Sequence, residues 1–288
     1  MKILFVCGAV LLLLAGCSPL RALNAFVPSR GYQLSAGLEY GSHPRQKLDV
    51  YVPDPQAYPG TLPVIVFFYG GSWQTGERQE YKFIGEALAS KGFVVVIPDY
   101  RVYPEARYPV FVEDAAAAFS WAQREVLRYR GDPKRMLLMG HSAGAHIAAM
   151  LAYNERFLGA HGLGRGDVRA FIGLAGPYDF VPTEPAIKAA LSVDGSADAA
   201  MPARYVHGGE PPSLLITGGR DTRVEPGNEE RLARRLREAG SELVERVYPS
   251  MNHAGVLARL AAPLRNDELL EEIAEFARRH TAARAAPR

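Results

Sequence analysis

Met136-Leu137-Leu138-Met139-Gly140-His141-Ser142-Ala143-Gly144, followed by the helix-forming run Ala145 to Leu151, is the stretch that decides how this chain folds. Four apolar residues predict a buried strand. The Gly-x-Ser-x-Gly pattern then predicts a sharp turn, and the alanine-rich run predicts a helix. A serine at such a corner sits on a strained turn that lifts its hydroxyl clear of the backbone. Side chains two residues to either side would collide with the strand or the helix, so glycine stands at both places.

The same alternation extends outward in both directions. Leu34 to Tyr40 and Lys47 to Val52 read as two opening strands around a Gly41-Ser42 turn. Val64 to Tyr69, Phe93 to Ile97, Ala170 to Leu174 and Leu214 to Thr217 are continuous apolar runs suited to strands buried on both faces, and Leu243 to Tyr248 follows as a last strand. Amphipathic stretches lie between them, over Tyr81 to Ser90, Val110 to Arg130, Pro226 to Ala239 and Asp267 to Arg279. Strand and helix in succession predict an α/β fold with a mostly parallel central sheet and helices on both faces. Pro177 to Pro212 lacks strong periodicity and reads as a small cap or a long active-site loop.

A serine hydroxyl is a weak nucleophile at neutral pH and needs a base, which in turn needs an acid to orient it. The elbow in its strand-to-helix setting resembles that of the α/β-hydrolase fold, whose chain order is Ser, acid, His. His253 follows the last strand in Pro249-Ser250-Met251-Asn252-His253, where the base is expected. His141 is read as pointing away from Ser142, and His146 as too near in sequence to reach it. Asp221 leaves the end of the Leu214 to Thr217 strand and is the favoured acid, with Asp179 as its rival. Asp99 is read as organising a turn. Developing negative charge needs backbone N–H donors, expected from Gly71, Ser72 and Ala143. Trp73 and Tyr178 are candidate walls of the substrate pocket.

Taken together, Tyr69-Gly-Gly-Ser-Trp73, Pro98-Asp-Tyr-Arg101, Gly131-Asp-Pro133, the elbow, Gly176-Pro-Tyr-Asp179, Asp221 and His253 resemble the α/β-hydrolase carboxylesterases. The likeness runs from about Lys47 to Leu257 and is nearest to the bacterial feruloyl or acetyl esterases and kynurenine formamidases. Those families open the donor loop as H-G-G-x-W, where this chain has Tyr69. The resemblance implies ester hydrolysis through an acyl-enzyme on Ser142, with His253 as base and Asp221 as orienting acid, and without metal or organic cofactor. A formamidase-like amidase and a non-catalytic envelope module on the same fold are the other two readings.

The amino terminus carries a separate message. Lys2 and the apolar run Ile3 to Ala15 form a signal-peptide pattern, too short for the ~20 residues of a membrane span. Leu14-Ala15-Gly16-Cys17 resembles the bacterial lipobox, which implies cleavage before Cys17 and lipidation of its thiol. Ser18 then implies a lipid-anchored envelope protein, in the outer membrane where the cell has one. Residues 1–16 are thus read as the signal, 17–31 as a tether, 32–280 as the hydrolase domain and 281–288 as a tail. Cys7 and Cys17 are the only cysteines, so no disulfide is expected in the mature chain. A net charge of +2 with dispersed basic residues argues against a nucleic-acid surface and leaves a small acyl ester and the membrane as expected partners.

Overall fold

The computed structural model describes residues 19–282 with the exception of Pro226. Cys17, the signal segment and most of the tail lie outside the described residues. Eight strands form one sheet: β1 (Tyr32–Glu39), β2 (Lys47–Pro53), β3 (Leu62–Phe68), β4 (Val94–Pro98), β5 (Gly131–His141), β6 (Phe171–Leu174), β7 (Ser213–Gly218) and β8 (Leu243–Tyr248). Their spatial order is β1-β2-β4-β3-β5-β6-β7-β8. The β1–β2 and β2–β4 pairs are antiparallel, and the other pairs run parallel. This is the α/β-hydrolase fold.

The central strands are buried for the reason their sequences suggest. Val64 through Phe68 and Met136 through Met139 are all 0% exposed, because helices cover both faces and neither face needs polar residues. The helices Val110–Glu125 and Ala143–Tyr153 pack against each other, while Lys82–Ala89 packs against Asp267–Thr281. Val110–Glu125, Ala143–Tyr153 and Asp267–Thr281 all touch β5. The parallel register places His141 beside Leu174 and aligns the carboxyl ends of β3, β5, β6, β7 and β8 along one edge. Open α/β sheets carry their sites at this edge.

Several local expectations shift. Residues Pro19–Asn24 form a short helix rather than a plain tether. Asn24 holds it in place: its amide donates to the Gln79 carbonyl at 2.7 Å, and its oxygen accepts from the Phe83 N–H at 3.2 Å. The long helix ends at Glu125, and a 3₁₀ turn Val126–Tyr129 follows it. Arg130 takes the left-handed turn at φ 63°, and its guanidinium donates to the carbonyls of Pro53, Tyr58 and Gly60. The 177–212 segment contains the helix Pro185–Leu191 and two 3₁₀ turns, and it buries Ala190, Leu191, Ala200 and Ala203 in the main core.

Candidate active site

Ser142 caps the start of the helix Ala143–Tyr153 with φ 54° and ψ −125°, a strained conformation for a residue with a side chain. Its N–H is held by the Leu174 carbonyl at 2.9 Å. Packing leaves no alternative at the flanking positions. A Cβ on Gly140 would strike the Gly144 carbonyl, and one on Gly144 would strike the carbonyls of Phe68 and Tyr69.

The serine, histidine and aspartate are brought into one chain of hydrogen bonds. His253 Nε2 lies 2.9 Å from Ser142 Oγ, and His253 Nδ1 lies 2.8 Å from Asp221 Oδ2. Asp221 Oδ1 accepts the N–H groups of Arg223 and Val224, each at 2.9 Å. Burial alone would push the Asp221 carboxyl up. The bonds from His253 and those two amides outweigh it and hold the group below its ordinary value. The carboxylate is therefore the form that faces His253, which leaves Nδ1 as donor and Nε2 free to accept the serine proton. Asp179, the rival acid, is engaged elsewhere: its carbonyl accepts Arg231 Nε at 2.9 Å, and its carboxylate sits 3.7 Å from the same group.

His253 itself is the first residue of a short helix, His253–Ala258, rather than a plain loop residue. Asn252 caps that helix by accepting the Gly255 N–H at 2.8 Å, which fixes where the imidazole starts. His141 makes no hydrogen bond to Ser142 and turns to His253 instead. Its ring lies 4.9 Å from that of His253, and its Nε2–H donates to the His253 carbonyl at 3.1 Å.

The donor loop follows β3. Gly71 has φ 133°, while Ser72 and Trp73 have φ 55° and 58°. The Gly71 carbonyl accepts the N–H groups of Gln74 and Thr75, so the loop is closed from its far side. The N–H groups of Gly71, Ser72 and Ala143 have no acceptor among the described residues. Behind the loop, Tyr69 is stacked between Tyr81 and Tyr100 at ring distances of 5.0 and 4.8 Å. Its hydroxyl donates to Asp99 Oδ1 at 2.8 Å and accepts from Arg45 at 3.1 Å. Asp99 also receives the Arg78 N–H at 2.6 Å and pairs with its guanidinium. Asp99 thus anchors a buried network, a larger task than organising a turn.

Trp73 lines the space beside Ser142, with Phe180 stacked on it at 6.2 Å. Tyr178 does not line that space. It is fully buried against Phe171 and fills the room left by Gly173 and Gly176, so its assignment as a substrate wall is corrected to core packing. Phe180, two residues on, takes the wall position. Leu20, Leu23 and Arg223 also line the site and went unrecognised in the sequence. The i,i+3 spacing of the two leucines was the available signal.

The class defined by fold and site is the α/β hydrolase. Within it, the chain belongs to the BD-FAE family, matched over residues 48–236. It is 34% identical over 151 residues to a probable isoprenylcysteine alpha-carbonyl methylesterase of Arabidopsis thaliana, a match covering 51% of this chain and 35% of that protein. It is 28% identical over 269 residues to the esterase LipQ of Mycobacterium tuberculosis, covering 86% and 63%. The matched region therefore spans less than two thirds of either relative. Among solved structures, a phosphonate-inhibited esterase B from Lactobacillus rhamnosis superposes with a TM-score of 0.80 at 19% identity, over 98% of this chain and 96% of that one. A carbohydrate esterase from gut microbiota gives a TM-score of 0.78 at 19% identity, over 89% and 99%.

Proposed function

We propose that this protein is a carboxylesterase-type serine hydrolase. The observation that carries the reading is the continuous relay from Asp221 through His253 to Ser142, at 2.8 and 2.9 Å. In the proposed reaction His253 Nε2 takes the Ser142 proton while Oγ attacks the ester carbonyl. The new oxyanion faces the N–H groups of Gly71, Ser72 and Ala143. His253 then returns its proton to the departing alcohol oxygen and leaves an acyl group on Ser142. A water molecule, activated by the same histidine, releases the acid. Similarity to proteins named as esterases supports this chemistry.

The test is turnover of 4-nitrophenyl acetate by the wild type and by Ser142→Ala. Loss of at least about a thousandfold in kcat is expected, since members of such a relay act as a unit. Equal rates would sink the mechanism. N-formylkynurenine, measured beside a short-chain ester, discriminates an amidase.

The proposal extends to location. Cleavage before Cys17 and acylation of its thiol would hold the enzyme at the bacterial cell envelope without a spanning helix. Each buried acyl methylene contributes roughly 0.8 kcal/mol, so several chains suffice. Radiolabelled palmitate should enter the wild-type chain and not Cys17→Ala. Equal labelling would remove the anchor from the reading.

A further inference from the structure

Ser142 stands between two compartments of very different size. One has a volume of about 700 Å³ and is walled on its apolar side by Leu20, Leu23, Ala254 and Leu257. The other has about 80 Å³ and is lined by Trp73, Phe180 and Ile187, with Glu184, Arg223 and Asn228. The second has roughly a ninth of the volume of the first. An ester must lay its acyl part on one side of the serine and its alcohol part on the other.

The base decides which is which. In acyl transfer the histidine that accepts the serine proton must later deliver it to the leaving oxygen, so the alcohol lies on the histidine side. His253 lines the large compartment and is absent from the lining of the small one. Resting on the hydrolase reading above, we propose that the substrate is an ester of a short acyl group with a bulky apolar alcohol. The Pro19–Asn24 helix serves as one wall of the alcohol site.

That wall is built rather than incidental. Asn24 ties the helix to the Gln79 carbonyl and the Phe83 N–H, and this fixes Leu20 and Leu23 against the cavity. The helix begins two residues after Cys17. A lipid on that cysteine would therefore be attached within a few residues of the alcohol site, and an apolar alcohol is the kind that partitions into a membrane surface.

Two ester series test the assignment on the full chain. With acetyl held constant and the alcohol lengthened from methyl to hexyl, kcat/KM should rise about fourfold per methylene as each is buried. With methyl held constant and the acyl group lengthened from acetyl to octanoyl, kcat/KM should fall at least tenfold. Leu20→Ser with Leu23→Ser should flatten the alcohol series, lowering hexyl acetate far more than methyl acetate. Phe180→Ala should move the acyl cut-off to longer chains and leave the slope of the alcohol series intact. The reverse preference, long acyl groups accepted and long alcohols refused, overturns the compartment assignment. So does an equal loss on every ester in the double-serine variant. Absence of turnover on both series would instead overturn the hydrolase reading itself.

Discussion

The imidazole of His141 donates from Nε2 to the main-chain carbonyl of His253 at 3.1 Å, with the two rings 4.9 Å apart. Burial, followed by the neighbouring His253 charge, pushes the His141 pKa down to about 3. The ring is therefore neutral across the working range, and it steadies the backbone from which the base projects. His141→Phe keeps the ring and removes the donor, and kcat should fall about tenfold with KM little changed, the size of one lost hydrogen bond. His141→Gln should recover part of that loss. An unaltered kcat in the phenylalanine variant would leave His141 with packing alone.

Asp221 and Asp179 make opposite predictions. Asp221→Asn should lower kcat about ten-thousandfold by favouring the wrong imidazole tautomer. Asp179→Asn should cost less than threefold, because its partner is Arg231 rather than His253. Rate measurements on the purified pair decide this, and a large loss from Asp179→Asn would reinstate it as the acid.

Glu229 lies buried on the helix Gly227–Glu238, and its pKa is raised from 4.5 to about 8 by burial, then by the charges of Asp221 and Glu230. The folded state thus holds a proton that the unfolded chain releases near pH 4.5. Stability should fall as pH climbs from about 4.5 through about 8, and level off above. Glu229→Gln removes the penalty. It should stabilise the protein by about 5 kcal/mol at pH 9 and scarcely at pH 4, read from denaturant unfolding of the two proteins at each pH. A pH-independent difference would contradict the titration.

Tyr69 is the test of the departure from the H-G-G-x-W pattern. Tyr69→Phe keeps the stack with Tyr81 and Tyr100 but strips Asp99 of a hydrogen-bond donor. Denaturant unfolding should show a loss of about 1 kcal/mol, the size of one hydrogen bond, because Asp99 Oδ1 keeps the Arg78 N–H. Activity should fall far less than in Ser142→Ala, since the hydroxyl serves the loop from behind. A catalytic loss matching that of Ser142→Ala would place Tyr69 in the chemistry.

What the sequence determined by itself was local in its physics. A strand segment buried on both faces is apolar throughout, so β3, β4 and the Met136 to Met139 part of β5 could be read directly from their side chains. The polar Asp132 to Arg135 stretch at the start of β5 could not. The elbow was equally legible, because glycines at fixed offsets answer a steric conflict contained within a few residues. What only the tertiary structure decided depends on contacts between distant segments. Ser142 and His253 are separated by 111 positions. The preference for Asp221 over Asp179 that chain order suggested becomes a contact only through the fold, which joins Asp221 to His253 and Asp179 to Arg231. The same holds for which of Tyr178 and Phe180 faces the site. Their chain direction after β6 depends on the packing around Gly173 and Gly176, and no periodicity encodes it. The wall formed by Leu20 and Leu23 is the furthest case. Two leucines in a short amino-terminal helix gain a role only because Asn24 pins them across a sequence gap of more than fifty residues, against the cavity of Ser142.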